Sequence, residues 1–243
     1  MYKILICIML SIFIKMLFNY KIQTDVIPDI VISGGGKFGF YNLGICHYIR
    51  NHFDITNKKI VGFSSGSWAS LILTIKKELI NEFLNKTFLI DKNTKVNVLL
   101  DKLGDICSEY FIDDFDLTNT WVAVTNITKK QLFFYNEFIT IDDCVRCCKS
   151  SSFIPLITSK NSLSFYKGDL SVDGALMYKK YKKTLTSNPL IISHKMFGRN
   201  KHNQMYKEIY KRTSIDFYTS YIKGYNDASK NHKYFQDYLK DLE

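Results

Sequence analysis

The sequence predicts an α/β domain with a mostly parallel central sheet, and three observations carry that reading. Two short, uninterrupted apolar runs, Ile30-Val31-Ile32 and Ile60-Val61, have the character of strands buried on both faces, as in a parallel sheet. Each run leads at once into a glycine-containing turn and then a segment of helical character, so the order strand, turn, helix occurs twice in succession. The short spacing between the two units makes a right-handed parallel crossover the expected connection. At 243 residues, with no internal repeat, low-complexity tract or linker, the chain is expected to bury one core. That domain is placed at 28–243, behind a hydrophobic N-terminal segment at 1–20.

The first unit begins after Pro28, with a strand over 29–33 and a turn over 34–39. Phe40, Leu43, Cys46, Ile49 and Phe53 then recur at helical spacing and mark a buried face. The second unit runs from Ile60-Val61 through Gly62-Phe63-Ser64-Ser65-Gly66 into an apolar helix containing Trp68, Leu71 and Leu73. Further helices are expected over 72–88 and 96–111. Residues 121–124 and 132–135 read as strands joined by a hairpin-like connection. Thr140, with Asp143 three positions on, has the pattern of an N-cap for a helix running to about Ser151, and Pro155 closes that region. Two more short strands follow, one at 170–172 that delivers Asp173-Gly174-Ala175 to a loop and one at 189–192. Phe217, Tyr221, Tyr225, Ala228, Phe235 and Leu239 give one or two covering helices at the end.

Composition is globular, at 46% hydrophobic and 15% aromatic residues, which excludes a disordered chain. The net charge of +10 favours a phosphate-bearing partner, either nucleic acid or an anionic lipid surface. No zinc-finger, homeodomain or RNA-binding signature supports nucleic acid, so none is expected. The six cysteines (Cys7, Cys46, Cys107, Cys144, Cys147 and Cys148) are irregularly spaced, which argues against a disulfide framework. Cys144-x-x-Cys147-Cys148 lacks a second ligand pair at matching spacing, so packed thiols are expected there and no metal.

Residues 4–18 are apolar except for Ser11 and Lys15. As a helix these residues would span about 22 Å, short of the roughly 30 Å hydrocarbon core of a bilayer. The reading is membrane association through an uncleaved anchor or interfacial helix. A removed signal with secretion, and a simple docking helix, are the alternatives.

Three motifs suggest chemistry. Gly62-Phe63-Ser64-Ser65-Gly66, between a strand and a helix, has the form of a nucleophile elbow, with Ser64 exposed on a strained turn and helix N–H groups pointing back at it. Gly34-Gly35-Gly36-Lys37-Phe38-Gly39 also satisfies a dinucleotide-binding pattern, with Asp54 near the place of a ribose-binding acid. That fold has no use for the second, catalytic-looking turn. A P-loop fails because no Gly-Lys-Ser/Thr follows. Three consecutive glycines also present bare N–H groups to an anion, as an oxyanion hole requires. For a base, His47 and His52 precede the serine, while His194, His202 and His232 follow Asp173 outside any convincing motif. A carboxylate at a strand end can serve instead, and Asp173, followed by Gly174, is the best placed.

In the order GGGKFG, GFSSG, DGA the chain resembles the patatin-like phospholipases, from about residue 28 to 230. Weaker echoes are Trp121-Val122-Ala123-Val124-Thr125-Asn126, the run from Cys148 to Pro155, and Gly224-Tyr225-Asn226-Asp227-Ala228. The resemblance implies a three-layer α/β/α sandwich and a Ser-Asp dyad without histidine, acting without metal or cofactor on phospholipids or other acyl lipids. Ser64 would be the nucleophile and Asp173 the general base. Gly34, Gly35 and Gly36 would supply the oxyanion hole, with Gly39, Gly62, Gly66 and Gly174 as the remaining motif glycines. Two departures stand out. Phe38 occupies the place where the family usually carries Arg or Lys, and Leu176-Met177-Tyr178-Lys179-Lys180 replaces its asparagine-proline stretch. Lys179, Lys180, Lys182 and Lys183, interleaved with Tyr178 and Tyr181, form a basic patch suited either to an anionic lipid surface or to plain solvation. Two other functions stay open: a lipid-binding protein that no longer turns over, and a histidine-dependent esterase of soluble esters.

Overall fold

The structure, a computed structural model, describes residues 19–22, 25–155, 157–159, 161–198 and 216–242. In chain order the elements are β1 (Lys21–Ile22), β2 (Ile30–Ile32), α1 (Gly39–His52), β3 (Phe53–Asp54), β4 (Ile60–Phe63), α2 (Ser65–Thr74), α3 (Ile80–Phe88) and α4 (Val96–Asp105). They continue as β5 (Thr120–Asn126), β6 (Gln131–Tyr135), α5 (Ile141–Ser151), β7 (Phe165–Tyr166), β8 (Asp169–Asp173), α6 (Tyr178–Tyr181), β9 (Leu190–Ile192), α7 (Phe217–Lys230), α8 (His232–Gln236) and β10 (Lys240–Asp241).

The molecule is mixed α/β with a mostly parallel central sheet. Strands β9, β2, β4 and β5 run parallel in that spatial order, so the two strand-turn-helix units lie side by side as the sequence predicts. Strand β6 pairs antiparallel with β5 and carries β1 beyond it, while β3 and β10 form a separate two-stranded ribbon. Alternation of side chains divides the core. Ile30, Ile32, Ile60, Val122, Val124, Leu190 and Ile192 face the larger cluster, with residues of α1, α2, α5 and α7. Val31, Val61, Phe63 and Ala123 face the smaller one, which among the described residues is closed by Tyr20, Leu132, Met177 and Tyr181. The helical cover is therefore thick on one face and, among the described residues, reduced on the other to the short α6 and its flanks.

Local signals hold where they are complete. The Thr140 hydroxyl accepts from the Asp143 N–H at 3.2 Å and starts α5 as its N-cap. The helix expected over 72–88 is instead broken. Ile75 is extended and bridges Phe115, the Lys76 N–H donates to the Asp114 carbonyl at 2.9 Å, and the Asp116 N–H donates to that of Thr74 at 2.8 Å. A passing loop 40 residues downstream captures the backbone groups that would have continued the helix, a competition invisible to local periodicity.

The membrane-associated placement expected from residues 4–18 is corrected. No helix among the described residues is long and apolar enough to cross a membrane, and residues 1–18 lie outside those described.

Helices α1 and α7 meet through a buried polar contact. The His47 Nε2 accepts from the Asn51 amide at 2.9 Å, which puts its proton on Nδ1, 2.6 Å from the Tyr221 hydroxyl. Burial, with His52 adding to it, pushes the His47 pKa down to about 4. A depressed pKa contributes stability that is complete above the unfolded value near 6.5 and is lost as pH falls towards 4, by up to about 3 kcal/mol. Urea titrations between pH 7 and 4 should show that loss, and His47→Gln should flatten it.

Candidate functional site

Ser64 is the hinge between β4 and α2. Its φ of 51° and ψ of −126° form the mirror image of an ordinary extended residue, a conformation that a Cβ disfavours and that a site must hold in place. The surrounding contacts do so. A Cβ on Gly66 would collide with the Ile32 carbonyl oxygen, so only glycine lets α2 start against the end of β2. Gly62 backs onto Ser67 and Gly39 onto Ser65 in the same way. The buried Ser64 N–H donates to the Ser151 hydroxyl at 2.8 Å, and that hydroxyl donates to the Ala123 carbonyl at 2.7 Å. Ser151→Ala leaves the Ser64 N–H without a partner in a buried site and should destabilise the fold by about 1–3 kcal/mol, read as a drop in urea midpoint.

Sheet register brings the second group to Ser64. Strand β4 covers one edge of β5 only as far as the pair Phe63–Ala123. From Val124 on, β8 takes over that edge, running antiparallel, with Asp173 opposite Val124. The chain end of β4 and the chain end of β8 therefore meet head to head along β5. Ser64 and Asp173, 109 positions apart, become neighbours: the Ser64 Oγ donates to Asp173 Oδ2 at 2.7 Å. Gly174 is pressed onto the Ala123 carbonyl, where any side chain would collide, and this close approach turns the chain away after the carboxylate.

The Asp173 carboxyl is 4% exposed. Burial raises its pKa to about 7, opposed by the Ser64 hydroxyl and by the Ala175 N–H that donates to Oδ1 at 2.7 Å. It is thus a base poised near neutrality, already hydrogen-bonded to a serine hydroxyl.

The glycine loop leaves β2 beside this pair. A Cβ on Gly34 would stand 3.0 Å from the Ser64 Cβ, so the loop backbone reaches the serine itself. The three amides expected to act together are not equivalent. The Gly35 N–H is committed to the Ser65 hydroxyl at 2.9 Å, whereas those of Gly34 and Gly36 have no partner among the described residues. Gly36 has a φ of +57° and opens a 3-10 turn, Gly36–Phe38.

Compared with models of known protein families and with curated proteins, the chain finds no match.

Other sequence candidates lie elsewhere. Asp54 accepts from the nearby Thr56 N–H at 2.8 Å, in the ribbon with β10. Lys179, Lys182 and Lys183 are exposed, whereas Lys180 is half-buried and its Nζ donates to the Tyr20 carbonyl at 2.6 Å. Cys46, Cys107, Cys144, Cys147 and Cys148 are buried free thiols, and no cluster of metal-binding side chains occurs among the described residues; Cys7 lies outside them. His232 lies 2.8 Å from the Tyr48 hydroxyl and 3.1 Å from Asp241, beside the ribbon of β3 and β10, and His202 lies outside the described residues. Among the described residues, the candidate histidine that meets the glycine loop is His194, against Gly35 and Phe38. Ser65 and Ser151 lie in stretches the sequence singled out, but their roles did not show there, since each acts on a backbone amide 30 or 87 positions away.

Proposed function

We propose that the chain is a serine acyl hydrolase of the patatin-like kind, cleaving carboxylic esters of phospholipids or other acyl lipids through a Ser64–Asp173 dyad. The observation that carries this reading is the 2.7 Å hydrogen bond from the Ser64 hydroxyl to the buried Asp173 carboxylate, at a serine held in a strained turn. The lipid substrate class is what the resemblance to the patatin-like phospholipases implies, a resemblance carried by the motif order GGGKFG, GFSSG, DGA. In the first step Asp173 takes the Ser64 proton as Oγ attacks the ester carbonyl carbon. Unpaired loop amides, Gly34 and Gly36 foremost, receive the developing oxyanion. The alcohol or lysolipid leaves with the proton that Asp173 returns. Water then gives a proton to Asp173, attacks the acyl-enzyme, and releases the fatty acid as Ser64 regains its proton.

The test is fatty-acid release from mixed phospholipid vesicles with a chelator present. Release that persists with the chelator supports the reading. No release from phospholipid, monoacyl or neutral acyl-ester substrates removes it in favour of a binding protein.

A further inference from the structure

We propose that His194 and Ser65 are positioning residues that together clamp the glycine loop beside Ser64. The inference rests on the dyad reading above and assigns roles to two side chains outside it.

Strand β9 runs parallel to β2, and the Ser33 N–H donates to the Ile192 carbonyl at 2.9 Å, so both strands end at the same level. Two residues beyond β9, His194 is 5% exposed and lies against Gly35, where a Cβ would stand 2.6 Å from its Nδ1. Its ring also stacks on Phe38, with centroids 5.4 Å apart and planes within 13°. Gly35 and Phe38 are the two ends of a tight turn closed by the Phe38 N–H on the Gly35 carbonyl at 3.2 Å, and Gly36, at positive φ, sits between them. One imidazole ring therefore braces both ends of the bend that carries the Gly36 amide. The Ser65 hydroxyl fixes the same loop by a separate contact, accepting from the Gly35 N–H. With Gly35 held by ring and hydroxyl, its peptide cannot rotate, and the amides on either side keep one direction.

This also gives the Phe38 departure a physical account. Where the resemblance expects a basic residue, this chain has a ring, and that ring is the surface His194 stacks on. His194 acts by shape through Gly35 and not as the base, because the proton of Ser64 already points at Asp173.

A fluorophosphonate ester tests this directly. Ser64 Oγ forms a bond to phosphorus, fluoride leaves, and the serine proton passes to Asp173, so the labelling rate reads both nucleophile and oxyanion loop. Loss of a single oxyanion donor slows such sites by about 10²–10³-fold, and a misaimed donor should cost about tenfold or more. His194→Ala and Ser65→Ala should each slow labelling of the folded fraction, counted by circular dichroism, by that factor. His194→Phe, which keeps a flat ring, should stay within about threefold of native. All should keep the midpoint near pH 7 that belongs to Asp173. Native labelling rates in both alanine variants overturn the clamp while leaving the dyad intact. A phenylalanine variant as slow as the alanine one, with the pH midpoint gone, overturns it by making His194 the base. A native chain that is not labelled at Ser64 removes the dyad reading itself, and the clamp with it. Should His194→Ala fail to fold, Ser65→Ala and His194→Phe decide by the same criteria.

Discussion

Ser64→Ala is expected to abolish measurable fatty-acid release while the chain still folds, and Ser64→Gly to abolish it in a fold more stable than that of the alanine variant. Both remove the only atom that can form the acyl-enzyme, and loss of a serine nucleophile costs on the order of 10⁶ in turnover. The two differ in the backbone. At φ 51° and ψ −126° the Ser64 Cβ is held in a conformation disfavoured for every residue but glycine, at about 1–3 kcal/mol. Alanine keeps that Cβ and the strain with it. Glycine relieves the strain but returns about 0.4–1 kcal/mol through a freer unfolded chain. A net gain on the order of 1 kcal/mol in urea unfolding is therefore expected for glycine over alanine. Retained turnover in the alanine variant would take Ser64 out of the mechanism. A glycine variant less stable than the alanine one would show that the turn is not strained.

How much of this was legible follows from the range over which each residue acts. The elbow is local: strand, two glycines and helix lie within 15 residues, so the sequence showed Ser64 and its neighbours directly. Asp173 was legible as a strand-end carboxylate, but not its route to Ser64. That route depends on β8 replacing β4 along one edge of β5, which is a matter of two separate registers on β5, Phe63 opposite Ala123 and Asp173 opposite Val124. The tie from Ser151 to the Ser64 amide and the seat of His194 on Gly35 are likewise pairwise facts of the folded chain, with no periodicity or spacing to announce them. The break at Ile75 is the converse case. The local pattern favours helix, and a distant backbone segment wins because its hydrogen bonds replace the helical ones.

Asp173→Asn should separate activity from stability most sharply. Loss of a general base lowers turnover by about 10²–10⁴-fold. The stability change has the opposite sense. In the fold the Asp173 pKa is raised to about 7. In the unfolded chain an aspartate titrates near 3.9. Its contribution is therefore most favourable below pH 4, declines as pH rises, and reaches its minimum above 7, after a loss of up to about 4 kcal/mol. Asparagine cannot ionise and escapes that loss. The variant should match the native chain near pH 4 and exceed it in unfolding free energy at pH 8. His47 acts in the reverse direction over an overlapping window, since its folded pKa is depressed, so only the native-minus-variant difference isolates Asp173. The same ionisation sets the rate: below pH 7 turnover should fall about tenfold per unit as the base takes up its proton. Both effects come from one cause, a carboxylate buried against a serine hydroxyl. A variant less stable than the native chain at pH 8 would mean that the site stabilises the charge. Asp173 would then be an ordinary acid at neutral pH, too weak a base to take the Ser64 proton.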